Sequence, residues 1–266
     1  MTHFFALYLF LIAAGGLGGF LSGMLGIGGG IIMFPLLLYI PTLFGLPALG
    51  VKGITGLTMT QGFFATLTAT IFYKRERLIS RDLVLTLGAT LFFSSLAGSL
   101  ISKDMGDRPL LVIYGALALF ASVLMLIPRS YLNDELSGGQ VKFNMAAAIS
   151  CGAVTGVLLG MVGQAGAFII IPIMLYVLRI PLRVALGSML AIGLISSTAG
   201  MIGKIATGQV RFDLAAALLA GAIPMAYAGG ATGRKTHIKS LRWLLAAVIS
   251  ASAIYIWAGI LRGTHG

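Results

Sequence analysis

Two glycine-rich stretches hold the residues of this chain that could do chemistry. The first, GGLGGFLSGMLGIGGGIIMFP, covers 15–35. Its spacing returns 137 residues further on, where Gly19, Gly23, Gly26, Gly29, Pro35 and Tyr39 fall on Gly156, Gly160, Gly163, Gly166, Pro172 and Tyr176. Both stretches are apolar enough for lipid, yet glycines break them in the middle. Backbone can leave the helix at membrane depth only where protein or a water-filled cavity satisfies its N–H and C=O groups, so paired breaks predict a cavity. Glycines there would bare the N–H groups of the following helix, whose positive end favours an oxyanion. Gly28, Gly29 and Gly30 in the first break, and Gly163 and Gly166 in the second, are therefore candidate ligands through their backbone. Gly15, Gly19 and Gly23, four residues apart, read instead as a face for close helix packing. As a dinucleotide fingerprint the GIGGG run carries nothing, because no βαβ unit surrounds it.

The side chains expected near membrane depth are neutral-polar or cationic: Lys52, Thr55, Thr58, Gln61, Gln164, Ser188, Ser196, Ser197, Thr198 and Lys204. Gln164 lies inside the second break and is the foremost side-chain ligand, the competing role being an amide that caps a helix end. Thr55, Thr58, Gln61 and Ser188 can donate to an oxyanion, although helical hydroxyls often bond back to their own helix. Lys52 and Lys204 are expected near helix ends on the outer side, where such side chains snorkel to the interface or draw anions to the mouth.

All seven acids (Glu76, Asp82, Asp104, Asp107, Asp134, Glu135 and Asp213) fall in loops or at expected helix starts, and His3, His237 and His265 are peripheral. A cation pump or metal transporter buries carboxylates or histidines along its path. An intramembrane hydrolase needs a base beside its nucleophile. Neither pattern is present, so no catalytic role, metal or other cofactor is expected. Asp82 and Asp213 read as helix caps.

The elements that position these residues follow from composition. Of 266 residues, 58% are hydrophobic and only 9% charged, and the mean hydropathy is +1.02. Soluble domains carry about 25% charged residues, so this chain is an integral membrane protein. Apolar runs of about 20 residues recur and alternating strands do not, which makes it all-α and polytopic. The single cysteine, Cys151, excludes an internal disulfide. Phe4 to Ala14 reads as the first mature helix rather than a signal peptide, since no Lys or Arg precedes it and the apolar run continues to Leu25. The net charge of +11 sits between hydrophobic segments, which points to lipid and positive-inside loops rather than to nucleic acid.

Helical segments are predicted at 3–25, 31–40, 49–73, 82–101 and 110–127, and again at 145–162, 168–178, 182–207, 213–232 and 241–261. Residues 1–128 and 144–266 then form two homologous halves joined by a polar linker at 129–143, with a turn beginning at Pro41 and a basic loop at 74–81. If the short post-glycine segments cross fully, the halves are inverted and twelve of the eighteen Lys and Arg share one side. If those segments are re-entrant, the split is nine to nine. The positive-inside rule favours inverted five-segment repeats with both termini outside.

At these residues the chain resembles a known family. GMLGIGGGIIMFP and GMVGQAGAFIIIP, half a chain apart, are similar to the repeated motifs of the sulfite exporter TauE/SafE family of membrane permeases. So is the P-x-x-x-A-x-G-S form at Pro181 to Ser188. The first half departs from that form at Val51-Lys52-Gly53-Ile54-Thr55. The resemblance implies transport, generally export, of a small sulfur-containing anion such as sulfite, sulfoacetate or a related organosulfonate. With no transit peptide in view, a bacterial or archaeal plasma membrane is the expected location. The residues by themselves leave open an anion channel or uptake permease, and a non-transporting scaffold subunit. The glycine faces also permit a homodimer.

Overall fold

Glycine and proline punctuate an otherwise continuous apolar chain, and the computed structural model begins and ends most of its helices at that punctuation. The structure describes residues 2–25, 30–73, 79–126, 143–164, 167–233 and 238–261. Its helices are α1 (Thr2–Leu25), α2 (Gly30–Leu43), α3 (Val51–Tyr73), α4 (Arg81–Ile101), α5 (Asp107–Leu126), α6 (Met145–Val162), α7 (Ala167–Tyr176), α8 (Leu182–Ala206), α9 (Phe212–Gly233) and α10 (Ile238–Leu261). Every predicted segment is present, and no strand occurs among the described residues. Among the described residues, six helices are long and apolar enough to cross a bilayer. The two that follow the glycine breaks, α2 with 14 residues and α7 with 10, are only about 21 and 15 Å long at about 1.5 Å per residue.

Two local expectations are corrected. Pro41 does not open the turn after α2; it sits in the last helical turn, and the turn follows at Phe44 and Gly45, where Gly45 takes a φ of +65°. A proline near a helix end fits the helical φ, and only its missing N–H counts against it. Asp82 does not cap α4. Ser80 occupies the N-cap position without a side-chain cap bond, and Asp82 stands in the first turn, where its charge faces the positive helix end.

The outside of the bundle is apolar. Phe5, Phe93 and Ile254 are each at least 70% exposed, the surface a lipid-facing helix presents. The inside is built from small residues. Gly15, Gly19 and Gly23 lie along α9, where a Cβ would come within 2.0–2.3 Å of the Leu218, Ala222 and Ala226 carbonyls. Gly152, Gly156 and Gly160 of α6 face α4, meeting the Thr90 side chain, the Ser94 hydroxyl and the Ser95 carbonyl in turn. This is close packing by residues spaced four apart, as expected for α1.

The main helix pairs are α1 with α9, α4 with α6 and with α8, α3 with α8 and with α9, and α5 with α10. Residue numbers rise together along α1 and α9, and along α4 and α6. They run opposite along α3 and α8, since Thr55 meets Lys204 while Thr66 meets Ser197. They also run opposite along α5 and α10, where Ser122 meets Ser250 and Gly115 meets Trp257.

Candidate functional site

The start of α2 is held by side chains from two other helices and from the second break, the first two for a reason written in the sequence. Pro35 has no N–H, so the Ile31 carbonyl one turn earlier lacks its helical donor. The Tyr114 hydroxyl of α5 donates to that carbonyl at 2.7 Å, and the Ser252 hydroxyl of α10 does so at 2.9 Å. Phe34 stacks on the Tyr114 ring with centroids 4.2 Å apart. The Gln164 amide reaches across from the second break, with Nε2 donating to the Gly30 carbonyl at 3.3 Å. A Cβ on Gly30 would meet Gln164 Oε1, so any side chain there would have to displace that amide. Tyr114 and Ser252 carry no motif, and only the missing N–H of Pro35 could have pointed to them.

The second break is closed by its own backbone. Gly163, at φ +70°, follows α6 in the left-handed conformation, with its N–H on the Gly160 carbonyl and the Gln164 N–H on the Leu159 carbonyl. These bonds form a Schellman motif. A Cβ on Gly163 would lie 2.0 Å from the Thr55 carbonyl, so α3 packs directly on the turn. Thr58 Oγ1 lies 2.9 Å from the Gly163 carbonyl and 2.9 Å from the Ile54 carbonyl of its own helix. Thr55 bonds back to the Lys52 carbonyl at 2.7 Å. Helical back-bonding therefore accounts for Thr55 and in part for Thr58. Gly28, Gly29 and Gly166 lie outside the described residues, as do most of the basic loop and the linker.

Lys204 is where the structure departs most from expectation. It does not snorkel. Its side chain is fully buried, and Nζ donates to Gln209 Oε1 at 2.8 Å, Ser102 Oγ at 2.8 Å, Thr55 Oγ1 at 3.0 Å and the Met161 carbonyl at 3.0 Å. The carbonyl belongs to the last turn of α6, so the ammonium also sits at that helix's negative end. A helix end near the interface allows snorkelling, but the turns after α4 and α8 fold over Lys204 and supply acceptors instead. Ser102 and Gln209 were not singled out in the sequence, since their role exists only once those turns meet. Lys52, in the first turn of α3, is partly exposed and donates to the Lys103 carbonyl at 2.7 Å. Beside it a cavity of about 820 Å³ opens among Tyr39, Thr42, Gly50, Asp107 and Tyr255.

Gln61 presents the opposite case. It is fully buried, and neither Nε2 nor Oε1 has a protein partner. Gly18 makes room for it, since a Cβ there would come within 2.5 Å of both Gln61 Nε2 and Met33 Sδ. The hydroxyls of Ser22, Ser95 and Ser196 are likewise buried and without a partner. Ser95 and Met59 both lie against Gly200, so the orphaned groups of α3, α4 and α8 fall within about 6 Å along the bundle. That level is near the middle of α3. Ser188 is not among them. Its hydroxyl accepts the Ser80 N–H at 3.1 Å, far along α8 and about 24 Å from Lys204. The described acids, Asp82, Asp104, Asp107 and Asp213, are all exposed, and no cluster of metal-binding side chains occurs among the described residues.

The arrangement is thus a polar interior with donors, a broken helix end and, among the described residues, no carboxylate, wrapped in lipid-facing apolar surface. The family model described as sulfite exporter TauE/SafE matches residues 11–256. A probable membrane transporter protein of Methanocaldococcus jannaschii is 26% identical over 96% of this chain and 97% of its own. Another, of Bacillus subtilis, is 22% identical over 91% and 94%. A third, of Xylella fastidiosa, is 31% identical over 94% and 96%. No solved structure matches. With the family's pattern running through both glycine breaks and nearly the whole bundle, the chain is a multi-pass membrane protein of the transporter class and belongs to the sulfite exporter TauE/SafE family.

Proposed function

We propose that this transporter exports a small sulfur-containing oxyanion, such as sulfite, sulfoacetate or a related organosulfonate, by alternating access between two inverted repeats in a bacterial or archaeal plasma membrane. The observation that carries the ligand is the buried Gln61 amide without a protein partner, level with the equally orphaned Ser95 and Ser196 hydroxyls. Leaving such a group unpaired costs about 1–3 kcal/mol. A ligand whose oxygens accept several donors recovers that cost. The first-turn N–H groups of α2 supply the positive end of a helix dipole beside it, and Gly28, Gly29 and Gly166 extend the cradle in this reading. Gln164 fixes the two breaks against each other. Lys52 draws anions to the mouth.

Helix direction supports the repeats at 1–128 and 144–266. With four crossings per half, equivalent helices would run parallel; with five, they run antiparallel. α3 and α8 are equivalent and antiparallel, and so are α5 and α10. Five crossings require α2 and α7 to complete theirs, as in transporters whose broken helices meet at the midplane. An anion leaving a cell that is negative inside is helped by about 2.3 kcal/mol per charge per 100 mV, so the potential alone can drive export.

The test is the melting temperature of detergent-purified wild type, Gln61→Ala and Gln164→Ala with sulfite, sulfoacetate, taurine, thiosulfate, sulfate and acetate added singly. A ligand at a hundred times its dissociation constant stabilises by about 2.7 kcal/mol. Stabilisation by one sulfur anion in wild type and its loss in Gln61→Ala is the expected result. Equal melting with and without every anion would remove the anion reading. Saturating counterflow in proteoliposomes is expected of a carrier, and its absence alongside conductance would make the protein a channel.

A further inference from the structure

We infer that Lys204 is the fixed counter-charge of the transported ligand, and that the pathway is therefore built for an oxyanion bearing a single negative charge. This rests on the anion reading above and narrows it: within that class it selects hydrogen sulfite or a singly charged organosulfonate over the doubly charged sulfoacetate. Lys204 is the only charged side chain buried among the described residues. Its four acceptors, Thr55, Ser102, Gln209 and the Met161 carbonyl, are all neutral. Such partners solvate an ammonium but do not cancel its charge. Burying a charge without a counter-ion is costly even when it is hydrogen-bonded.

Among the described residues, no side chain on the surrounding elements supplies the missing charge. On α3 the nearest ionisable group is Lys52, also a cation, which acts against a second positive charge. The turn after α4 brings Lys103 and Asp104, both exposed. α6 contributes only Cys151, about 15 Å from Met161 along the helix. Beyond the turn after α8, Arg211 and Asp213 pair with each other at 2.7 Å on the surface. Among the described residues the interior is left with one positive charge.

Its position links that charge to the break. The ammonium touches Met161, two residues before Gly163, and the Oγ1 of Thr55, whose carbonyl packs on Gly163. Three protons facing four acceptors leave none free for direct contact in this conformation. Lys204 therefore acts on a ligand at the break through its field. At low local dielectric such a field reaches farther than in water. One negative charge brings the interior to neutrality. A second would itself be buried without a partner, so a dianion of similar size and shape is disfavoured.

The experiment titrates the detergent-purified full chain with methanesulfonate and isethionate as monoanions, and with sulfate and thiosulfate as dianions, following the melting temperature of wild type, Lys204→Met and Lys204→Arg. Wild type is expected to bind at least one monoanion tenfold or more tightly than either dianion. Lys204→Met is expected to lose that affinity tenfold or more, while Lys204→Arg keeps it within about threefold. Wild type that binds anions without regard to their charge would overturn the inference by itself, even where Lys204→Met fails to fold. So would Lys204→Met with unchanged affinity, which would make Lys204 a clamp only. In both cases the anion reading would stand. If no anion binds wild type, that reading falls and this inference falls with it.

Discussion

Two polar regions lie on the same pair of helices, about 9 Å apart along α3, and they solve burial in opposite ways. Around Lys204 every proton is used, and the Gln209 amide is turned so that its oxygen accepts from the ammonium while its nitrogen donates to Thr207 and Ser102. Around Gln61 nothing is used. Native interiors satisfy nearly all buried polar groups, so an unsatisfied cluster needs a reason. A satisfied network fixes the elements that meet in it, here α3, α6, α8 and the turns after α4 and α8. An unsatisfied band at mid-depth gives up stability to keep donors and acceptors open. The first region holds the elements around the break together, and the second is where the proposed function places the ligand.

The sharpest way to break this contrast is at the junction between the regions. Gly163→Val places a β-branched residue at a left-handed φ and against the Thr55 carbonyl, so a loss on the order of 4 kcal/mol or more is expected, read as collapse of monodisperse protein in detergent. Recovery of a normally melting protein would mean that α3 does not pack on the turn. At the satisfied cluster, Gln209→Ala removes one acceptor from Lys204 and should destabilise by about 1–3 kcal/mol; an unchanged melting temperature would deny the network its fixing role.

At the unsatisfied cluster the sign reverses. Gln61→Met keeps the volume and removes an unpaired amide, so the ligand-free protein should gain about 1 kcal/mol while losing anion-induced stabilisation. A Gln61→Met variant that melts lower would mean the amide is satisfied after all. Ser196→Ala should act in the same direction and by less, under about 1 kcal/mol. As a surface reference, Arg211→Ala breaks an exposed ion pair and should change stability by only a few tenths of a kcal/mol. A larger shift there would show that the detergent-solubilised protein reports its ends rather than its interior.

Much of the fold is legible in the sequence because its cues are local. Hydropathy marks each helix, and glycine or proline ends it, so the predicted 145–162 and 182–207 differ from α6 and α8 by at most one residue. The close-packing role of Gly15, Gly19 and Gly23 is legible for the same reason, since four-residue spacing on one helix defines a face. The site is only partly legible. Thr55, Thr58, Gly163, Gln164, Gly30 and Lys204 do converge, but Ser188 lies at the far end of α8, and Ser22, Ser95, Ser102, Gln209, Tyr114 and Ser252 had no signal of their own. In lipid both faces of a helix are apolar, so periodicity does not separate the core side from the lipid side.

The sequence by itself determined the solvent this protein lives in, the number of its helices and their limits to within about three residues, the two places where they break, and the placing of the described acids at loops and helix starts. Each of these depends on residues a few positions apart. Only the tertiary structure decided that Lys204 is enclosed rather than snorkelling, and that Gln61 is enclosed but unpaired. The partners that decide this stand far away in the chain: Thr55 is 149 residues from Lys204, and Ser102 is 102 residues from it. Burial and hydrogen-bond satisfaction are properties of such distant pairs, and they come into being only when the helices meet.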